Sequence, residues 1–155
     1  MYFMVETALS RIIDNIDTVF RGDAWHGPAV MEMINSLPES KLLENQPFSK
    51  KSIAQNIFHL TAYRRFVIEK LNDNIHFRLD TDEENWGTEE ELKDAAQLKK
   101  NLVDTHNQLL KKLDGFDDGL LTRNVPGEYY DFYKLLNGLI QHDTYHLGMI
   151  WVLWQ

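Results

Sequence analysis

The sequence predicts an all-α protein: a four-helix bundle with an extra short helix and long connecting loops. Three observations carry this. Four segments place apolar residues three and four apart over roughly 20 positions each, the period of a helix with one buried face. No stretch alternates apolar and polar residues for the length of a strand. Polar stretches punctuated by Gly and Pro separate the helical segments. Helices with a single apolar stripe bury it against one another, and four such stripes close a bundle.

The first predicted helix spans residues 2–20, with Phe3, Leu9, Ile12, Ile13, Ile16 and Phe20 on one face and Arg21-Gly22-Asp23 breaking it. Trp25-His26-Gly27-Pro28 follows. Pro28 suits a helix's first turn, and Met31, Ile34 and Leu37 make a short helix that Pro38 ends. Residues 38–51 read as loop, with Pro47 and the Lys50-Lys51 pair. Ser52-Ile53-Ala54-Gln55 is a capping box, in which a hydroxyl and an amide three residues on satisfy each other's backbone N–H. It opens a helix to about Asn72 with the stripe Ile53, Ile57, Leu60, Val67 and Leu71. Residues 73–87 carry a dense run of acids and read as a solvated loop. Thr88-Glu89-Glu90-Glu91 is a second capping box, with acids where the helix dipole favours them. It opens a helix running to Asp114-Gly115. Residues 115–130 read as loop, Tyr129 and Tyr133 as staples of that loop to the bundle, and Asp131 as the cap of a last helix of roughly 20 residues.

A chain of 155 residues is expected to form one domain, 1–155, with a sizeable core. A net charge of −8 argues against a nucleic-acid backbone or an anionic membrane surface as partner. No apolar run approaches the ~18 residues of a spanning helix. No signal peptide is expected, because Glu6, Arg11, Asp14 and Asp17 interrupt the apolar positions of the first segment. The chain has no cysteine, which excludes disulfides, thiolate ligands and a cysteine nucleophile, and fits a reducing, cytoplasmic setting.

The chemistry concentrates in Gln141-His142-Asp143-Thr144-Tyr145-His146. Residues four apart on a helix share a face, so His142 and His146 project together, in step with Leu135 and Leu139 towards the core. Two neutral imidazoles side by side form part of a metal site. The pair alone is equally compatible with core histidines bonded to carbonyls or tyrosines; composition yields about 0.2 such pairs by chance. A third ligand has to come from a neighbouring helix. His59, near the middle of the second long helix and at the edge of its stripe, is the best placed. His106 on the third is the rival, though first read as a satisfied core histidine. His26 is the loop candidate. His76 reads as solvated.

Several segments in this order resemble the DinB-like (DinB/YfiT) superfamily over the length of the chain. They are Trp25-His26-Gly27-Pro28, Ser52 through His59, Asp82-Glu83-Glu84-Asn85-Trp86, and the tail from Val125-Pro126-Gly127-Glu128-Tyr129 to His146-Leu147-Gly148. The resemblance implies a helical bundle in which one histidine of the second long helix and two, four apart, of the last hold a divalent metal. Those positions are His59, His142 and His146 here. Where relatives commonly have Gly-Gln-Ile after the last histidine, this chain has Gly148-Met149-Ile150, which removes a polar group near the site but no ligand.

Three imidazoles leave a coordination position open, the arrangement of a catalytic rather than a closed structural site. An all-nitrogen set suits zinc, nickel, iron or cobalt and does not itself rank them; zinc or nickel is expected first, iron or cobalt next. The resemblance implies a metal-dependent enzyme on a small-molecule substrate: an S-transferase-like activity using a low-molecular-weight thiol, or a hydrolysis. The other expectation is a non-catalytic, stress-associated bundle that binds metal or a ligand. A homodimer is implied in both cases. Asp143, Gln141, Tyr63 and Tyr145 are expected to hold the outer ring nitrogens, with His26 and Trp25 at the mouth of the site or as a loop anchor. No residue is singled out as general base, and Gly148 reads as a close helix contact.

Overall fold

The computed structural model describes residues 6–44 and 49–155. The predictions at residues 2–5 and at Pro47 lie outside them. The described residues are predominantly α-helical and contain no strand beyond one isolated bridge, Asn124 to Asp131. The long helices are α1 (Ala8–Arg21), α4 (Ile53–Leu71), α7 (Ala95–Leu113) and α8 (Phe132–Trp154). Short helices lie between them: α2 (Val30–Ser36), α3 (Glu39–Leu42), α5 (Asp82–Trp86) and α6 (Glu89–Leu92), with a 3-10 turn at Asp118–Thr122. α4 packs against α7 and α8, and α1 packs against α8 and α7, so the four long helices neighbour one another in a ring. None of the described helices is long and apolar enough to cross a membrane.

The helix starts follow local chemistry. Ser52 and Gln55 close the expected box on α4, and Thr7 and Ser10 do the same for α1. Asp131 caps α8 by accepting from the Lys134 N–H at 2.9 Å. Two predicted elements are corrected. The helix expected from Thr88 to Leu113 is two helices, because Asp94 accepts from the Gln97 N–H and starts α7 afresh after α6 ends at Leu92. The solvated loop at 73–87 contains α5, opened by a capping box of Thr81 and Glu84. Single turns also form at α3 and at Asp118–Thr122 within stretches read as loop. Tyr129 and Tyr133 do not staple the 115–130 segment, since both rings are exposed. That segment is held instead by the Val125 N–H donating to the Tyr130 carbonyl and by Arg78 donating to the Gly127 carbonyl.

The core has two apolar clusters stacked along the bundle. One gathers Phe20, α2 and the N-terminal half of α4 with the C-terminal half of α8; the other gathers α1 with the opposite halves of α4 and α8. Each long helix changes cluster at one polar residue. Asp17 lies between Ile16 and Phe20, Arg64 between Leu60 and Val67, His106 between Leu102 and Leu109, and Asp143 between Leu139 and Leu147. These four side chains form one connected layer. The Arg64 guanidinium grips both oxygens of Asp143 and donates through Nε to His106 Nδ1 at 3.2 Å. His106 then carries its proton on Nε2 and donates it to Asp17 at 2.9 Å. Phe20 packs flat on the His106 ring and beneath Arg64. His106 is thus the satisfied core histidine expected, held neutral by burial and by the neighbouring Arg64 charge.

Candidate metal centre

α4 carries His59 and α8 carries His142 and His146, and the packing of these helices brings the three rings together. Their ring centroids lie 5.0 Å (His59–His142), 4.7 Å (His59–His146) and 4.4 Å (His142–His146) apart. One nitrogen from each lies within 4.8 Å of those of the other two. His106 and His26 stay outside this cluster, and His76 is exposed.

Two of the rings are oriented by hydrogen bonds. His59 Nδ1–H donates to the Asn85 carbonyl at 2.9 Å, which leaves its Nε2 lone pair free. His146 Nδ1–H donates to the Asn56 amide oxygen at 2.8 Å, again freeing Nε2. The Asn56 amide cannot flip without loss, because its NH2 donates to the Ser52 carbonyl at 2.8 Å. Such partners on the far nitrogen fix a ligand's tautomer and direction. Asn85 is in turn tied to the Leu79 and Thr81 carbonyls, so α5 delivers it as a fixed acceptor. Trp86, the last residue of α5, lies parallel on His59 with centroids 4.0 Å apart. Gly87 makes this possible: the chain turns there with φ +82°, and a Cβ would stand 3.0 Å from the Phe58 ring.

His142 differs. Both its ring nitrogens are buried and neither has a hydrogen-bond partner. Leaving a buried polar atom unmatched costs about 1–3 kcal/mol, so an orphaned imidazole beside two others invites an electrophile. Burial, followed by the neighbouring His146, His59 and Arg64, pushes its pKa down to about 3. Burial, then His59, pushes His146 down to about 4. His59 is also lowered, chiefly by burial, against the opposing bond to Asn85. All three rings are therefore neutral at pH 7 and present lone pairs. The residues fit a divalent cation that takes nitrogen donors.

Residues 25–150 match the family model of the DinB superfamily. The chain belongs to the DinB superfamily. No curated protein and no solved structure matches the chain. Two of the DinB segments read from the sequence supply the partners just described, Asn56 within Ser52–His59 and Asn85 within Asp82–Trp86.

The other expected site residues are distributed unevenly. Tyr63 stacks on His142 at 4.3 Å between centroids, and Tyr145 meets His146 edge-on at 5.2 Å with its own ring largely exposed. Asp143 holds no imidazole of the cluster; its carboxylate is taken by Arg64. Burial pushes that carboxyl's pKa up and Arg64 opposes the push. Gln141 faces solvent. Trp25 is fully exposed and neither lines the cluster nor anchors its loop. His26 is exposed beside Thr144, Leu147 and Trp151. Those residues lie about half a helical turn round α8 from His142, so His26 is on the far side of that helix. Gly148 makes no close contact, since a Cβ there would meet nothing within 4 Å. Sequence reasoning missed Asn56, Asn85 and Trp86 as partners of the histidines. For Asn56 the available signal was an amide three residues before His59 on the same helix.

Proposed function

We propose that His59, His142 and His146 hold a divalent metal ion, zinc or nickel in first place and iron or cobalt next. We further propose that the chain, as a single domain over 1–155, is a metal-dependent enzyme acting on a small molecule. The favoured activity is S-transferase-like, with a low-molecular-weight thiol as co-substrate, or hydrolytic. The observation that carries the reading is His142, whose two ring nitrogens are buried and unpartnered beside two histidines whose tautomers are already set. Membership of the DinB superfamily supports it.

When bound, the ion supplies positive charge that lets a thiol or a water act as a nucleophile near neutral pH. The protein's own part is to keep three neutral donors converging. Asn85 and Asn56 direct the lone pairs of His59 and His146, and the Trp86 and Tyr63 rings limit water around His59 and His142. With no cysteine in the chain, any thiol belongs to the substrate. Asp143 is engaged by Arg64 and takes no proton-transfer role in this scheme.

A second reading has an observation of its own. Two aromatic rings lie directly on two of the three imidazoles, which favours a non-catalytic metal- or ligand-binding bundle over an enzyme with wide access. Both readings include a homodimer, supported by the exposed Tyr145, Trp151 and Val152 on α8, and a cytoplasmic setting, which the absence of cysteine fits.

Elemental analysis of tag-free protein tests the metal reading. The expected result is roughly one ion per chain, lost in His59→Ala and in His142→Ala. A wild-type chain that carries none and takes up neither zinc nor nickel on titration overturns it. Metal-dependent turnover of thiols with electrophiles, or of esters and amides, then separates the enzyme from the binding bundle.

A further inference from the structure

The polar layer between the two apolar clusters joins α4 to α8 by a buried ion pair, and these helices also carry the three clustered histidines. Asp143 follows His142 directly and precedes His146 by less than one turn; Arg64 lies little more than one turn beyond His59. We propose that Arg64 and Asp143 are positioning residues: their pair sets the register of α4 against α8 and so holds His59 opposite His142 and His146. The inference rests on the metal reading above.

The geometry leaves the pair one arrangement. Arg64 spends Nη1 and Nη2 on the two Asp143 oxygens, Nη1 also on the Leu60 carbonyl, and Nε on His106. A slide or rotation of either helix breaks several of these bonds together. Apolar side chains at the same depth would pack as well but would tolerate sliding, since burial is non-directional. Net stability does not account for the pair, because desolvating two charges costs about as much as their attraction returns. Fixing one register is the established use of such buried polar groups. Lysine cannot replace the guanidinium here, having no planar fork.

The test uses metal-free full-length protein titrated with cobalt(II), reading affinity and the visible absorption bands, with urea unfolding alongside. The variants are Arg64→Lys and the paired Arg64→Met/Asp143→Leu. The paired variant removes both charges together and so leaves neither buried without its partner, and the urea unfolding shows that it is folded. Leu113→Ala, in the cluster away from the histidines, is the control for stability loss alone. Expected are wild-type spectrum and affinity in the control, and in both Arg64 variants an affinity lower by about tenfold or more, with altered bands. Folded Arg64 variants that keep the spectrum and bind within about threefold of wild type overturn this inference and leave the metal reading standing. A wild-type chain that binds no cobalt overturns both.

Discussion

The indole of Trp86 lies on the imidazole of His59 with the planes 5° apart and the centroids 4.0 Å apart. Lys51 stands over the other part of this arrangement, 4.6 Å from the indole, and bonds Asp82 at the start of α5. Trp86→Ala is expected to cost about 0.5–1.5 kcal/mol in stacking and to admit water to His59. Because burial is the main reason the His59 pKa is lowered, that pKa should rise towards its ordinary value in the metal-free variant. An NMR titration of the ring measures it; an unchanged value would show that Trp86 does not shield His59.

Asn56 accepts from His146 and donates to Ser52. Asn56→Ala should leave the His146 ring free to turn and weaken metal binding by roughly 10–100-fold. Isothermal titration with zinc on wild type and variant reads the difference. Equal affinities would mean that the Asn56 amide does not orient the ring.

Stability of the metal-free chain should fall as pH falls. His142 is pushed down to about 3 and His146 to about 4, from the ordinary 6.5. Above pH 6.5 these rings are neutral folded and unfolded, and contribute no slope. Below it the unfolded chain takes up protons that the folded chain refuses, until the folded values are reached. Each ring then contributes a slope approaching about 1.4 kcal/mol per pH unit inside that window. Urea midpoints between pH 7 and 4.5 check this, and His142→Leu should flatten the dependence. An identical profile in that variant would contradict the depressed value.

Removing one member of the Arg64–Asp143 pair should be far worse than removing both. Arg64→Met alone leaves a carboxylate buried without its partner, which costs about 3–5 kcal/mol, whereas exchanging the pair for apolar side chains is often neutral or stabilising. Urea unfolding of Arg64→Met, Asp143→Leu and the combination measures the coupling. Additive losses would show that the two charges do not depend on each other.

The long helices were legible because their apolar period and their caps agreed: Ser52 with Gln55 opens α4 where the stripe begins. The break between α6 and α7 was not. Its cap, Asp94, sits within a charged run already explained by the box at Thr88, and an apolar stripe has no gap that reveals two non-helical residues. α5 was hidden in the opposite way. Its box, Thr81 with Glu84, has the same form as the two recognised, but the surrounding acids read as a solvated loop. In the site, spacing placed His142 with His146, and the superfamily pattern added His59. Partners such as the Asn85 carbonyl are backbone atoms supplied by tertiary packing, which side-chain identity does not encode. Asp143 was assigned to a histidine because it is next to one in sequence. Neighbours in a helix point about 100° apart, and its carboxylate went to Arg64 instead.

The Asn56–His146 bond spans 90 positions of chain, the Asp17–His106 bond 89 and the Arg64–Asp143 pair 79. None of these contacts can form while the chain is only locally ordered, and each must repay the entropy of closing a long loop before it stabilises anything. The histidine cluster therefore exists only once α8 is docked against α4. A chain with its helices formed but α8 undocked would have helical content and no cluster at all.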